Sequence, residues 1–254
     1  DVEKLATLIR SDTTLISVMA VNNEIGSVQP IAAISELLAD KPTISFHVDA
    51  VQAIAKIPTK DYLTERVDFA TFSSHKFHGL RGVGFVYIKS GKKISPLLNG
   101  GGQESDKRST TENLAGIAAT AKALRISMEN LETFTTRTAE MKEIILEELA
   151  KYPDVTIFSG IEEFAPHILT FGIKGVRGEV VVHAFEEYDI YISTTSACSS
   201  KAGKPAGTLI AMGVEKSLAQ TAVRISLDAD NDMSQIEQFL TTFKLIYEKT
   251  RKVR

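Results

Sequence analysis

The chain has 254 residues, 43% hydrophobic and 24% charged, with a formal net charge of −3, a globular composition sufficient for one large or two modest domains. The negative balance argues against a nucleic-acid-binding domain held by a basic surface, and no apolar run approaches the ~20 residues of a membrane span. One cysteine excludes an intrachain disulfide and a multi-cysteine metal site, and Asp1-Val2-Glu3-Lys4 opens an amphipathic segment instead of a signal peptide, so a reducing, cytoplasmic setting is expected.

Residues 1–10 read as the end of a helix with Leu5, Leu8 and Ile9 on one face. Thr14 to Ala20 is a predicted buried strand, followed by the turn Val21-Asn22-Asn23-Glu24-Ile25-Gly26. Pro30 to Ala39 opens with proline at a first helical position and repeats Ile31, Ile34, Leu37 and Leu38 at helical spacing. Thr43 to Val48 is strand-like and ends at Asp49; a short amphipathic piece with Gln52 follows, then strands at 67–72 and 83–88. This rhythm predicts crossover units on a largely parallel sheet. Residues 112–150 read as one long helix. Beyond it, strands are expected at 155–158, 167–171, 190–193 and 222–227, and helices at 179–188 and 232–250. The fold class is α/β, with a domain over 1–130 and a smaller α/β domain over 131–254.

Three strand ends deliver polar groups: Asn23 after the first, Asp49 and Gln52 after the second, Ser73, His75 and Lys76 after the third. In open α/β sheets ligands bind at the carboxyl ends of strands. A lysine where a strand gives way to Gly79, Gly82 and Gly84 is placed for nucleophilic chemistry, although most loop lysines are simply solvated. Asp49 also suits a helix cap, Asn23 a turn, and His47 a satisfied interior position. Together, an amine poised for covalent attachment and a carboxylate opposite a heteroaromatic nitrogen are what pyridoxal phosphate requires. Cys198 sits among Thr, Ser, Ala and Gly with Lys201 nearby, a setting that favours thiolate, against the alternative of a small buried hydrophobe. Gly100-Gly101-Gly102 lacks the spacing of a dinucleotide-binding turn.

Seven segments carry a resemblance: Val21 to Gly26, His47-Val48-Asp49-Ala50-Val51-Gln52, Ser73-Ser74-His75-Lys76, Gly100 to Glu104, Arg108-Ser109-Thr110-Thr111-Glu112-Asn113, Ser196-Ala197-Cys198-Ser199-Ser200 and Val223-Arg224-Ile225-Ser226-Leu227. In that order they resemble the motifs of cysteine desulfurases, pyridoxal-phosphate enzymes of the class V aminotransferase fold (PLP-transferase fold type I). The resemblance implies that Lys76 bears the cofactor and then moves the substrate α-proton. By the same resemblance Asp49 pairs with the pyridinium nitrogen, Gln52 reaches the ring hydroxyl with Asn23 nearby, and Ser73 and His75 bind the phosphate. Thr111 would reach the phosphate of a neighbouring subunit, which implies a homodimer. Arg224 would clamp the substrate carboxylate with help from Asn23, the other reading of Arg224 being an exposed charge in an edge strand. Cys198 would take sulfur from L-cysteine as a persulfide, leaving L-alanine, and hand it to an acceptor protein, either an iron–sulfur scaffold or a tRNA-thiolation enzyme.

Two family features have no counterpart before Asn23: a Gly/Thr phosphate loop and a histidine stacked on the cofactor ring. The resemblance therefore implies a chain lacking the family's first third, a truncated large domain, and weakened or lost cofactor binding. Thr110 also stands where many relatives have glycine. Selenocysteine lyase shares the scaffold and the lysine, and Cys198 weighs toward the desulfurase. A non-catalytic dimerising or acceptor-docking chain is the alternative outside the enzymes.

Overall fold

Leu15–Met19 (β1), Ser45–Asp49 (β2), Phe69–Ser73 (β3) and Gly84–Ile88 (β4) form one sheet in the order β1-β2-β3-β4 in the computed structural model, which describes residues 1–195 and 207–252. β1, β2 and β3 run parallel, with Met19 opposite Asp49 and Asp49 opposite Thr71. β4 returns antiparallel to β3. The ten residues Ser74 to Val83 between β3 and β4 are too few for the dozen or so that a parallel crossover requires.

The chain divides into two units. One comprises Asp1–Ala20 and Gln29–Leu131; the other comprises Val21–Val28 and Glu132–Arg254. The octet carrying Asn23 thus groups with the C-terminal half, not with the rest of 1–130.

In the first unit, strand alternation decides what is buried: Ile16, Phe46, Val48, Ala70 and Phe72 face the core with Ile31 and Ile34 of α2 (Ile31–Leu37). Ser17, His47, Asp49, Thr71 and Ser73 share the other face. Arg66 fastens the back of the sheet, donating to the carbonyls of Leu38, Lys41 and Ile44 and to the buried Asp68 carboxylate at 2.8 Å. Burial pushes the Asp68 carboxyl up, but the Phe46 N–H, Arg66 and Lys92 outweigh it and hold the group below the usual range. A first helix, α1 (Val2–Leu8), buries no residue. The predicted single helix over 112–150 is two, α4 (Leu114–Glu129) and α5 (Leu131–Leu149). Asn130 separates them: its backbone leaves the helical range, and its N–H and side chain both donate to the Ile126 carbonyl.

The second unit is built on an antiparallel sheet in the order β5-β6-β8-β7, formed by Val155–Ile157, Ile168–Ile173, Ala222–Ser226 and Ser193–Thr194 respectively. The strand expected at 190–193 is only the last of these, two residues long and shifted toward Thr194. Leu169, Phe171 and Ile173 of β6 pack with Val181 and Phe185 of α6 (Gly178–Glu186), Ile145 and Leu149 of α5, and Phe239 and Phe243 of the closing helix Met233–Lys252. The Phe185 and Phe239 rings stack at 5.0 Å. No described helix is long and apolar enough to cross a membrane.

One cation lies inside this core. Lys142 of α5 is 2% exposed, donates to the Ala165 carbonyl at 3.0 Å, and sits 5.6 Å from the centre of the Phe164 ring. Burial lowers its pKa from 10.5 to about 8. Below pH about 8 the folded and unfolded chains both hold the proton and the penalty is constant; between about 8 and 10.5 only the unfolded chain retains it, so stability rises with pH. Urea unfolding across that window is expected to show this rise in the parent and a shallower one in Lys142→Met. Equal slopes would contradict the assignment.

Candidate active site

Asp49 and Ser73 end adjacent parallel strands, so both sit at the carboxyl edge of the first unit's sheet and on one face of it. Beneath Asp49, His47 bridges three strands: Nδ1 is 2.7 Å from Ser17 Oγ and Nε2 is 3.2 Å from Thr71 Oγ1. Burial lowers the His47 pKa, and the Asp49 charge offsets this only in part, which favours a neutral ring shared between two hydroxyls. His47 is thus satisfied, as expected, though on the half-open face and not in the interior. Asp49 Oδ1 accepts the Val51 N–H at 3.0 Å. Oδ2 has no hydrogen bond among the described residues, and the side chain is exposed. The Gln52 side chain, half-buried in the turn that follows, makes none either.

The lysine turn is fastened at both ends. Ser74–Phe77 winds as a single 3-10 turn, with Ser74 and Phe77 fully buried, His75 exposed and Lys76 half-buried. Ser74 N–H donates to the Val83 carbonyl at 3.0 Å, and its hydroxyl accepts from Thr120 of α4 at 2.9 Å. Ser127 of α4 donates to the Phe77 carbonyl at 3.1 Å. His78 ends the turn at φ 65, and the Gly79 N–H returns to the Ser74 carbonyl at 2.9 Å. Burying positions 74 and 77 turns 75 and 76 outward at the strand end. Among the described residues Lys76 Nζ has neither a hydrogen bond nor an ion pair, and the Ser73 and His75 side chains have no hydrogen bond. An amine, a hydroxyl and an imidazole without hydrogen bonds among the described residues, with a carboxylate engaged through one oxygen only, can together hold a group bearing a carbonyl, a basic heterocycle and an anion.

Thr111 is exposed two residues before Asn113, whose side chain caps α4 by accepting the Gly116 N–H at 3.0 Å. It makes no hydrogen bond with the Asp49 and Lys76 group. Upstream, Gln103–Asp106 (α3) is a left-handed turn, with Glu104, Ser105 and Asp106 at φ 54, 54 and 61.

Asn23 and Arg224 meet in the second unit. Arg224 lies on β8, internal to the sheet between β6 and β7, which rules out the edge-strand reading. Its Nη1 donates to the Asn23 carbonyl at 2.6 Å. The next three carbonyls are held likewise: Glu24 by Thr170 Oγ1 at 2.6 Å, Ile25 by Ser159 Oγ at 2.6 Å, and Gly26 by the Ala165 N–H at 2.7 Å. Gly26 has φ +80, and a Cβ there would lie 2.9 Å from Ile168 Cβ. The Asn23 side chain itself is uncommitted and half-exposed. Cys198 lies outside the described residues. Among those that are described, no group of three or more His, Cys, Asp or Glu could hold a metal.

Sequence reasoning marked Gly79 only as punctuation of the loop, and missed Ser74 and Thr120, which with it position the lysine, and Glu24. The doubled Ser73-Ser74 and the glycine just past His78 were the available signals; for Glu24 there was none.

The aminotransferase class-V family profile matches residues 1–239, and the chain belongs to that family. A NifS/IcsS protein homolog of Lactobacillus delbrueckii subsp. bulgaricus is 50% identical over 252 residues, covering 99% of this chain and 66% of the relative. A cysteine desulfurase IscS of Clostridium botulinum is 36% identical over 256 residues, covering 99% of this chain and 64% of the relative. Among solved structures, a NifS-like protein superposes with TM-score 0.88 at 36% identity over 98% of this chain and 65% of its own. A NifS-like protein from Rickettsia africae gives 0.84 at 29% over 97% and 65%. The chain spans just under two thirds of the length of these relatives.

A Cβ on residue 79 would overlap the Ser74 hydroxyl, which Thr120 holds in place. Gly79→Ala is expected to cost about 1–3 kcal/mol in urea unfolding through overpacking, and to alter the reactivity of Lys76 toward an amine reagent. A variant matching the parent in both would show that the turn does not depend on this contact.

Proposed function

We propose that this chain carries the machinery of a pyridoxal-phosphate-dependent cysteine desulfurase, converting L-cysteine to L-alanine and placing the sulfur on Cys198. The observation that carries the reading is that the Lys76 amine, without a hydrogen bond or ion pair among the described residues, and Asp49, whose Oδ1 alone is hydrogen-bonded, stand at the same sheet edge in a chain of the class-V family. That donor set fits the cofactor: Lys76 for its aldehyde carbon, Asp49 for its ring nitrogen, Gln52 for its ring hydroxyl, and Ser73 and His75 for its phosphate. When bound, the cofactor withdraws electrons from the substrate's α-carbon.

The chain's own residues supply the rest. Lys76 Nζ takes the substrate α-proton and returns it on the way to alanine. The Arg224 guanidinium, anchored through Nη1 on the Asn23 carbonyl, holds the substrate carboxylate, and the Asn23 amide assists. The Cys198 thiolate attacks the substrate sulfur. The S–S bond forms as the C–S bond breaks, the electron pair goes to the carbon side, and a proton is added there. Cysteine and thiol thus become alanine and persulfide with no outside oxidant. The relatives' names favour sulfur over selenium, and Cys198 gives the sulfur a place to reside.

The reading extends to a cytoplasmic homodimer that passes sulfur to an acceptor protein, an iron–sulfur scaffold or a tRNA-thiolation enzyme. Exposed Leu97, Leu98, Leu114 and Ile117 on the first unit support pairing with a second copy. Thr111 would then serve the phosphate of that copy.

The test is to add pyridoxal phosphate, trap with borohydride and map the label, then add L-cysteine to untrapped protein and weigh the Cys198 peptide. Label is expected at Lys76, with alanine and one added sulfur at Cys198, and Lys76→Ala should give none of these. Label scattered over surface lysines, or alanine without sulfur on Cys198, would overturn the proposal.

A further inference from the structure

Glu24 has a hydrogen bond that the proposed chemistry does not use. Its Oε2 accepts the backbone N–H of Thr208 at 3.0 Å, across 184 residues of sequence. Thr208 lies in α7 (Gly207–Ala211). The Glu24 carboxylate thus satisfies a backbone donor of α7 with a charge-assisted bond from a distant part of the chain. Asn22 adds a second tie, its Nδ2 reaching Thr208 Oγ1 at 3.2 Å. The same Asn22 accepts the Glu24 and Ile25 N–H groups through Oδ1 at 2.8 and 3.0 Å. Leu209, fully buried against Ile25, Ala219 and Ala222, seats the helix beneath this clasp.

The clasp is rigid on the Glu24 side, because the Glu24 carbonyl is held by Thr170 and its neighbours by Arg224 and Ser159. Gly207 is nine residues after Cys198 in the chain. We propose that Glu24 is a positioning residue for the thiol segment: with Asn22 it moors α7, the carboxyl-side attachment of the Cys198 segment, to the turn that presents Asn23. The inference rests on the reading that Cys198 receives sulfur. Glu24 touches neither substrate nor cofactor in this role; it sets where one end of the segment is fixed.

Glu24→Ala and Glu24→Gln separate the mooring from its consequence. The amide oxygen of glutamine can still accept the Thr208 N–H, whereas alanine cannot. Hydrogen exchange at the Thr208 amide of the chain without cofactor is expected to quicken about tenfold or more in Glu24→Ala, the loss of a hydrogen bond to a charged group. Glu24→Gln should fall between alanine and parent. With pyridoxal phosphate and L-cysteine, sulfur recovered on Cys198 per alanine formed should drop in Glu24→Ala and be largely restored in Glu24→Gln. Unchanged Thr208 exchange in Glu24→Ala would overturn the mooring. Faster exchange with parent-like sulfur occupancy would overturn the positioning role while leaving the desulfurase reading intact. No sulfur on parent Cys198, with alanine still formed, would overturn both readings even if the clasp persists.

Discussion

Four consecutive carbonyls, from Asn23 to Gly26, each meet a donor from a different place in the second unit: Arg224, Thr170, Ser159 and Ala165. Leaving a buried group of this kind unpaired costs about 1–3 kcal/mol, so these four pairings together hold the octet 21–28 in its conformation. The chain enters it from Ala20 at the end of the first parallel strand and returns at Gln29. This constraint gives the Asn23 side chain a fixed starting point. It also fixes where the Arg224 guanidinium is held, through Nη1 on the Asn23 carbonyl.

The lysine turn applies the same logic in the first unit. Two buried residues, Ser74 and Phe77, are tied to α4 through Thr120 and Ser127, and the two residues between them are turned outward. A flexible loop would let Lys76 sample many positions; a 3-10 turn pinned at both ends restricts it before any ligand arrives. Beside it, the His47 bridge joins β1, β2 and β3 directly under Asp49, stiffening the strand that carries the carboxylate.

Much of this was legible because apolar runs end abruptly in polar residues. β1, β2 and β3 could be read from their composition, and Asp49, Ser73 and Lys76 from the strand ends. The antiparallel turn of β4 follows from the shortness of the 74–83 connection, a length argument that composition alone does not raise. Asn130 was hidden because the apolar rhythm of 112–150 continues on either side of it. The grouping of 21–28 with the second unit could not be read locally: its hydrogen bonds span 134 to 201 residues of sequence. Glu24 looks like any charged turn residue until Thr208 is placed beside it. The family resemblance supplied roles for Lys76, Asp49 and Arg224, and the geometry supplies the reasons those side chains are held where they are.

The account stands on Lys76 and Asp49 serving one bound group at the carboxyl edge of β2 and β3. A crystal structure of the chain grown with pyridoxal phosphate tests this most directly. Electron density continuous from Lys76 Nζ into the cofactor, with Asp49 against the ring nitrogen and Ser73 and His75 on the phosphate, is the expected result. A cofactor bound through a different lysine, or seated with Asp49 turned away from its ring, would contradict it.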